Sequence, residues 1–268
     1  MIKMIALDLD NTLLNSRKEI SARNEAVLKK LHEQGIHVVL CTGRPINAIW
    51  PYIEQLGLTA AEDYTITFNG GLVINNLTKE HLFERGMAKQ DLQPLLGFVE
   101  ANEIPLNVLD FDRVYELNDF PGSIYRTVLK NIKFESIASR HLPEKVYSKA
   151  VMAITPEELA PIIKHLPASL KQKYHAVQSQ PMIMEFLPLG VNKAVGLEAL
   201  LSHFGEDFSN LMSFGDADND LEMIRAAAQG IVMKNGLPQV KEAATAITDS
   251  NNNDGVAKYC ERYFATQL

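Results

Sequence analysis

Two aspartates lie two positions apart at the end of an apolar, β-branched stretch near the start of the chain. That stretch predicts a buried strand, with Asp8 and Asp10 at its carboxyl end. A second acidic cluster, Asp216, Asp218 and Asp220, follows another strand-like stretch. Mg²⁺ prefers oxygen ligands and keeps several waters, so two or three carboxylates and substrate oxygens suffice to hold it. Together the two clusters suit one hard cation.

The chemistry that such carboxylates favour is attack on phosphorus. A carboxylate with a pKa of about 4 is ionised at neutral pH, so Asp8 could act as a nucleophile without a separate base. Asp10 could then protonate the leaving group and later activate water, which would require a raised pKa. Two negative carboxylates would repel a phosphate, so charge balance requires the metal and a lysine, and Lys193 is a candidate. Thr42, after the second predicted strand, offers a hydroxyl and an N–H to a phosphoryl oxygen.

The elements that must position these residues alternate between strand and helix. Residues 2–9, 36–41 and 64–68 predict strands, with helices between them after Ser21 and from about Pro45. This alternation implies a parallel sheet with right-handed crossovers, whose carboxyl ends form a ligand crevice. The same alternation returns near the end of the chain, with predicted helices at 192–204, 218–228 and 238–244 and strands at 211–214, 230–233 and 246–248.

The middle of the chain follows a different pattern. Short strands are predicted at 106–109, 113–117, 146–154, 174–178 and 182–186, and two helices near 89–101 and 156–165. Thr155-Pro156-Glu157-Glu158 predicts a helix start, because it combines a capping box with proline at the first helical position. The sequence therefore predicts a separate α+β domain over residues 82–188. The α/β domain would then be discontinuous, with residues 1–81 and 189–268 forming one core.

Composition and charge limit the possible classes of function. The chain has 268 residues, 46% of them hydrophobic, and a net charge of −7, and its length favours two domains. An acidic balance argues against nucleic acid or an anionic membrane as the main partner. We find no apolar run of about 18 residues that could span a bilayer. The two cysteines, Cys41 and Cys260, are too few for a disulfide framework and indicate a reduced cytoplasmic protein.

Four motifs resemble, in order and spacing, those of the haloacid dehalogenase superfamily. They are Asp8-Leu9-Asp10-x-Thr12, Thr42-Gly43-Arg44-Pro45, Asn192-Lys193 and Gly215-Asp216-x-x-Asn219-Asp220. The flanking segments Asn69-Gly70, Met184-Glu185-Phe186 and Asn253-Asp254-Gly255-Val256-Ala257 resemble the Cof-type (subfamily IIB) sugar-phosphate phosphatases, above all the YidA-like members. The resemblance implies a Rossmann-like core with a parallel sheet and an inserted α+β cap of the C2B type. Such caps close over the site, exclude water and select the leaving group.

The resemblance also implies roles for individual residues. Asp8 matches the nucleophile that forms an aspartyl-phosphate, and Asp10 matches the general acid and base, whose backbone carbonyl also ligates the metal. The metal set implied for Mg²⁺ is Asp8, Asp10, Asp216 and Asp220. The phosphate-binding set implied is Leu9, Thr42, Gly43, Arg44, Lys193 and Asn219.

Several residues keep more than one interpretation. Arg44 fits phosphate binding, a salt bridge to the cap or a helix cap. Glu185 fits a hinge or substrate contact as well as a charge on a strand face, and Asn69 fits the site lining as well as a turn. Asn11 stands where this branch has Gly, but Asn tolerates unusual backbone conformations, so we expect the loop to form. Asp218 is expected to be a bystander whose charge could tune the metal site.

We therefore expect a Mg²⁺-dependent phosphoric monoester hydrolase acting on small phosphorylated metabolites, sugar phosphates above all. One alternative is a phosphosugar mutase or phosphotransferase, which would accumulate an isomeric ester instead of inorganic phosphate. Another is a non-catalytic metabolite-binding module, which would have no need for both Asp8 and Asp10. We expect no nucleic-acid or membrane partner, and a monomer or weak homodimer.

Overall fold

A computed structural model describes residues 1–129 and 132–265, and the chain divides into two compact units. One unit combines Met1–Glu84 with the residues from Asn192 onward, and the other is Arg85–Val191. We call them the split unit and the inserted unit. The divisions fall three residues after the boundaries that the sequence predicts.

The first segment of the split unit begins with the predicted strand and helix. Its elements are β1 (Met4–Leu7), α1 (Ala22–Glu33), β2 (His37–Leu40), α2 (Trp50–Leu56), β3 (Tyr64–Thr67), β4 (Leu72–Asn75) and β5 (His81–Glu84). The Ser21 hydroxyl accepts the N–H of Asn24 and so caps α1, as predicted. Pro51 lies in the first turn of α2, where its missing N–H leaves no helical hydrogen bond unmade.

The inserted unit is an α+β unit. Its elements are β6 (Met87–Ala88), α3 (Gln93–Ala101), β7 (Asn107–Leu109), β8 (Arg113–Leu117), α4 (Tyr125–Val128), β9 (Lys133–Ile137), β10 (Val146–Tyr147), β11 (Lys149–Ala153), α5 (Pro156–Lys164), α6 (Ala168–Lys173), β12 (Tyr174–Gln180) and β13 (Ile183–Pro188). Six strands form a sheet in the order β12-β13-β11-β7-β8-β9. At the start of α5, the Glu158 carboxylate accepts hydrogen bonds from the N–H and the hydroxyl of Thr155, as the capping box predicts.

Two elements of this unit differ from the prediction. The predicted strand over residues 146–154 is broken at Ser148, whose hydroxyl donates to the carbonyls of Leu109 and Asp110. The strand β9 was not predicted, because its side chains are mostly exposed and give it little apolar alternation.

The second segment of the split unit completes a parallel sheet. Its elements are α7 (Lys193–His203), β14 (Leu211–Gly215), α8 (Leu221–Ala226), β15 (Gln229–Met233), α9 (Pro238–Lys241), β16 (Ala246–Thr248) and α10 (Gly255–Ala265). The strand order is β16-β15-β14-β1-β2, and Leu7 pairs with Phe214 on one side and Leu40 on the other. The strand order and register therefore bring the carboxyl ends of β14, β1 and β2 to one edge.

The third predicted strand departs from this sheet. β3 pairs antiparallel with β4, and β4 pairs antiparallel with β5, in a separate three-stranded sheet. β3 meets the parallel sheet through one parallel bridge between Cys41 and Ile66. The chain reverses after β3 because Asn69 and Gly70 both adopt positive φ angles, of 55° and 94°. β3 therefore keeps the predicted parallel direction beside β2 at this bridge, but its full ladder is the antiparallel one with β4, and β4 and β5 were not predicted.

Both faces of the parallel sheet are buried. Ile5 and Leu7 of β1 pack in one cluster with residues of α1 and α10, while Met4 and Ala6 pack with residues of α7 and α8. Successive side chains of a strand point to opposite faces, so a strand buried on both faces is apolar throughout. Within the described ranges, no helix combines the length and apolar character that crossing a membrane would need.

Candidate active site

The polar residues of the predicted site begin where three strands end. The N–H of Asp8 donates to the carbonyl of Phe214 at 3.1 Å, and the N–H of Cys41 donates to the carbonyl of Leu7 at 2.8 Å. The N–H of Thr42 donates to the carbonyl of Ile66 at 2.9 Å. These backbone bonds tie β1 to β14 on one side and to β2 on the other, with β3 beyond it.

Asp8, Lys193, Asp216 and Asp220 form what we call the inner cluster. Oxygen atoms of its three carboxylates lie within 4.8 Å of one another, and all three residues are buried. The Lys193 Nζ donates to Asp8 Oδ1 and Asp220 Oδ1, each at 2.6 Å. The Thr12 hydroxyl donates to Asp216 Oδ1 at 2.8 Å. The structure therefore brings together the nucleophile candidate, the predicted lysine and two predicted metal ligands.

The loop after β14 positions Asp220 by closing on itself. Asp220 Oδ2 accepts the N–H groups of Asp216 at 2.8 Å and Ala217 at 3.0 Å. A Cβ on Gly215 would lie only 2.5 Å from the Cβ of Asp220. Glycine is therefore needed at the strand end, because the Asp220 side chain folds back over it.

Lys193 is positioned by the start of α7. The Asn192 side chain accepts the N–H of Val195 at 3.1 Å and caps the helix. A Cβ on Gly70 would lie 1.9 Å from the carbonyl oxygen of Asn192. The turn between β3 and β4 thus packs directly against the residue before Lys193, and only glycine permits that approach.

The inner cluster carries more negative than positive charge, and the pKa values of its members reflect this. Burial raises the pKa of Asp8 although Lys193 lowers it, and the carboxylates of Asp220 and Asp216 raise it further. Burial raises the pKa of Asp216 to about 6, against a hydrogen bond from Thr12. Burial alone would lower the pKa of Lys193, but Asp220 and Asp8 raise it well above its usual range. The cluster binds positive charge, whether protons or a cation.

Three buried carboxylates that converge around one lysine fit a divalent metal ion. Carboxylate oxygens are hard ligands, and the cluster would keep a net negative charge after Lys193 has neutralised one of the three. The Asp10 carboxylate is not part of this group. Asp218, expected to be a bystander, accepts a hydrogen bond from Gln239 at 3.0 Å instead.

Asp10, Arg44 and Lys18 form a second group, which we call the outer clamp. Arg44 donates from Nε to Asp10 Oδ2 at 2.7 Å and from a terminal nitrogen to Asp10 Oδ1 at 2.5 Å. The Lys18 Nζ donates to Asp10 Oδ1 at 2.7 Å. Burial raises the pKa of Asp10, but the hydrogen bonds and charges of Arg44 and Lys18 outweigh it and lower the pKa below its ordinary value. The clamped Asp10 therefore lacks the raised pKa that the general-acid role requires.

Arg44 makes a contact that the sequence did not predict, and its interpretation as a phosphate ligand stays a prediction. Its guanidinium lies on the Asp10 carboxylate, and its backbone N–H donates to the hydroxyl oxygen of Thr42 at 3.2 Å. Thr42 itself is buried. Arg44 thus belongs to the site through Asp10.

Asn69 lies over the loop that contains Thr42 and Gly43. Its Oδ1 accepts a hydrogen bond from the Asn219 side chain at 3.0 Å, and a Cβ on Gly43 would lie 2.9 Å from that oxygen. The left-handed backbone of Asn69 also forms the turn after β3. Both interpretations of Asn69 therefore hold.

The loop after β1 forms with Asn11 in the left-handed region, at φ 62°. Leu9 is buried, and its carbonyl accepts the N–H groups of Thr12 at 3.3 Å and Leu14 at 2.8 Å. Asn235 donates to the carbonyl of Asn11 at 2.8 Å. The expectation that asparagine can replace glycine here is confirmed.

Lys18 is the site residue that the sequence did not indicate. It lies eight residues after Asp10 in a short turn, with nothing in its neighbours to set it apart from other exposed lysines. Glu185, by contrast, forms an ion pair with Lys149 on the neighbouring strand at 2.8 Å, which favours its interpretation as a charge on a strand face.

The fold and the site can now be compared with known proteins. Residues 5–260 match the family model described as haloacid dehalogenase-like hydrolase. The chain belongs to this family. Bacillus subtilis YxeH, whose name describes it provisionally as a phosphatase, is 33% identical over 96% of each chain. The B. subtilis phosphatase YcsE is 30% identical over 96% of this chain and 94% of its own.

A solved structure agrees with these relatives. A haloacid dehalogenase-like hydrolase from Bacteroides thetaiotaomicron is 32% identical, covers 98% of this chain and 100% of its own, and superposes with a TM-score of 0.84. The chain is accordingly a Cof-type phosphatase of this family, that is, a phosphoric monoester hydrolase with a Rossmann-like parallel sheet.

Proposed function

We propose that the chain is a Mg²⁺-dependent phosphatase of small phosphorylated metabolites, sugar phosphates above all, which works through an aspartyl-phosphate on Asp8. The observation that carries this proposal is the inner cluster. Its three buried carboxylates and one lysine suit a hard cation beside a carboxylate nucleophile.

The metal set in this proposal is Asp8, Asp216 and Asp220, with the backbone carbonyl of Asp10. Mg²⁺ bound there would supply positive charge that offsets the phosphate and the carboxylates. Thr42, Lys193, Asn219, Arg44 and the backbone N–H groups of Leu9 and Gly43 are the proposed phosphate-binding set.

In the first step, an oxygen of Asp8 attacks the phosphorus in line, and a bond forms between them. The bond between phosphorus and the ester oxygen breaks, and its electron pair goes to the leaving alcohol, which takes a proton from Asp10. This step requires Asp10 to leave the outer clamp and take up a proton from water beforehand, because Arg44 and Lys18 keep the clamped carboxylate ionised. Lys193 bonds Asp8 Oδ1 and so orients the nucleophile.

In the second step, Asp10 takes a proton from water, and the water oxygen attacks the phosphorus. The bond between phosphorus and Asp8 breaks, which restores the Asp8 carboxylate and releases inorganic phosphate. Asp10 is available as the base because it has just given its proton to the leaving alcohol.

The substrate class is supported by named relatives. YcsE and YitU of B. subtilis are named as phosphatases of 5-amino-6-(5-phospho-D-ribitylamino)uracil, a phosphate ester of a polyol chain. A 27% identical protein of Cronobacter sakazakii is named as an HMP-PP phosphatase. We propose residues 1–81 and 189–268 as the catalytic core and residues 82–188 as the cap domain.

The test is phosphate release from a panel of sugar phosphates, nucleotides and small phosphoesters, with Mg²⁺ or with EDTA. Asp8→Asn should lower the rate by about 10⁴-fold or more, since no aspartyl-phosphate can form. Asp218→Asn is the matched control, because its carboxylate lies outside the inner cluster. Mg²⁺-dependent release that Asp8→Asn abolishes supports the proposal, and full activity in Asp8→Asn or in EDTA contradicts it.

Asp10→Asn separates the two steps. Loss of a general acid and base should slow turnover by about 10²–10⁴-fold. The variant keeps its nucleophile, so acid quenching should still trap phosphate on the protein. Turnover equal to that of the wild type would remove Asp10 from the mechanism.

A further inference from the structure

The outer clamp holds both oxygens of the Asp10 carboxylate through three hydrogen bonds. Oδ2 is bonded by Arg44, and Oδ1 is bonded by both Arg44 and Lys18. Arg44 brings two parallel N–H groups to the carboxylate, the strongest geometry for such a pair. A general acid held in this way must exchange at least one of these bonds before it can reach a substrate oxygen.

The position of Lys18 is set by its surroundings. Its backbone is left-handed, with φ 61°, a conformation that is unfavourable for a non-glycine residue. The Asn15 side chain accepts the N–H groups of Arg17 and Glu19, and the N–H of Lys18 donates to the Asn15 carbonyl. The Tyr52 hydroxyl donates to the Lys18 carbonyl at 3.0 Å. The turn therefore holds Lys18 in a strained backbone conformation that places its side chain on Asp10.

The clamp carries two cations for one carboxylate, and both cations reach solvent. The Lys18 side chain is 54% exposed and the Arg44 side chain is 27% exposed. If Asp10 moved away, two positive groups would be left without their partner. An anion of similar shape, such as a carboxylate or a phosphate, could replace it with the same hydrogen bonds.

We propose that the preferred substrates carry a second oxyanion besides the phosphate to be removed, and that this group displaces Asp10 from Lys18 and Arg44. The displaced Asp10 is then free to meet the leaving oxygen. The second oxyanion of the substrate thus takes the place of Asp10 on the two cations. This inference rests on the proposed phosphatase function and narrows its substrate class.

The test compares phosphoesters that differ only in a carboxylate against a hydroxymethyl group. One pair is 3-phosphoglycerate with glycerol 3-phosphate, and a longer pair is 6-phosphogluconate with sorbitol 6-phosphate. The comparison uses whichever of these two pairs the wild type hydrolyses faster. In that pair, kcat/KM for the ester with the carboxylate should exceed kcat/KM for the ester with the hydroxymethyl group by about fivefold to tenfold. Part of the gain should lie in kcat, since the second oxyanion frees Asp10 as well as binding.

Lys18→Met should reduce this ratio by about fivefold, and Lys18→Arg should keep it, because the ratio depends on the positive charge. Arg17→Met is the matched control, since Arg17 is the adjacent cation and pairs with Glu19 instead of Asp10. Added NaCl should lower the wild-type ratio, because both cations are partly exposed. A variant that is merely less well folded would lose activity on both esters and leave the ratio unchanged.

A wild-type ratio near one, or a ratio that Lys18→Met leaves unchanged, overturns the inference while the proposed phosphatase function stands. Failure to release phosphate from any ester of the wider panel overturns the proposed function and this inference with it.

Discussion

Asp8 and Asp10 are two residues apart in the chain, yet their surroundings differ in kind. Asp8 lies in the inner cluster against a lysine that is fully buried, whereas Asp10 lies in the outer clamp against cations that reach solvent. Burial raises the pKa of Asp8, and the two cations lower that of Asp10.

This difference separates a fixed carboxylate from a movable one. Lys193 cannot leave Asp8 without exposing buried negative charges to each other, because it also neutralises Asp220. The partners of Asp10 can be exchanged for water or an anion at little cost, because half-exposed ion pairs contribute little. A nucleophile needs the first kind of environment, and a residue that gives and takes a proton needs the second.

The largest effect should come from removing Lys193, the cation of the inner cluster. Lys193→Met should lower the free energy of unfolding by about 3–5 kcal/mol, because it leaves the buried carboxylates of Asp8 and Asp220 without their lysine. Urea denaturation in EDTA measures the loss. Adding Mg²⁺ should raise the Tm of the variant more than that of the wild type, since the cation would replace part of the missing charge.

Lys258→Met is the matched control in the same unit, since Lys258 pairs with Asp249 at the surface. Its loss should stay below about 1 kcal/mol. Equal losses in Lys193→Met and Lys258→Met would contradict the contrast between inner and outer cations.

A smaller effect should appear in the pH dependence of the inner cluster. The pKa of Asp216 is about 6 in the folded chain and 3.8 as a free side chain, so the folded chain binds the proton more tightly between these values. Stability therefore rises as the pH falls through this range. In EDTA, lowering the pH from 7.5 to 5 should raise the free energy of unfolding of the wild type by about 1 kcal/mol more than that of Asp216→Asn. This figure is reduced for the part of the site that water reaches.

Urea denaturation of both proteins at these pH values makes the comparison. Asp216→Asn is neutral at either pH, so it lacks this titration and also the part of the Asp8 pKa shift that the Asp216 charge causes. Two stability curves that run parallel would show that Asp216 does not hold a proton in the metal-free protein.

The smallest effect should come from the outer clamp. Arg44→Gln should lower the free energy of unfolding by less than about 1 kcal/mol, because Arg44 is partly exposed and Lys18 remains on Asp10. Urea denaturation of the variant and of the wild type measures this difference in the free energy of unfolding. A loss as large as that of Lys193→Met would mean that the clamp is a fixed structural pair, and Asp10 could not then be movable.

Much of the site could be predicted from the sequence, because its residues follow strands that local patterning already identifies. β1 is apolar throughout and β2 and β14 are mostly apolar, and Asp8, Thr42 and Asp216 come after the ends of these strands. Parallel strands bring their carboxyl ends to one edge, so these residues meet whatever the details of the loops. The glycines and caps that hold Lys193 and Asp220 are likewise visible as local signals.

The features that only the tertiary structure decided are those that depend on contacts between loops far apart in the sequence. Arg44 lies 34 positions from Asp10, and no local pattern says that it would bind that carboxylate instead of a phosphate. The lowered pKa of Asp10 therefore has no local signal in the sequence, and Lys18 was missed. β3 pairs with β4 instead of extending the parallel sheet, because the turn after it has three positive φ angles. Periodicity identifies a strand and the face it buries, but its neighbours and its charge partners depend on how the loops pack.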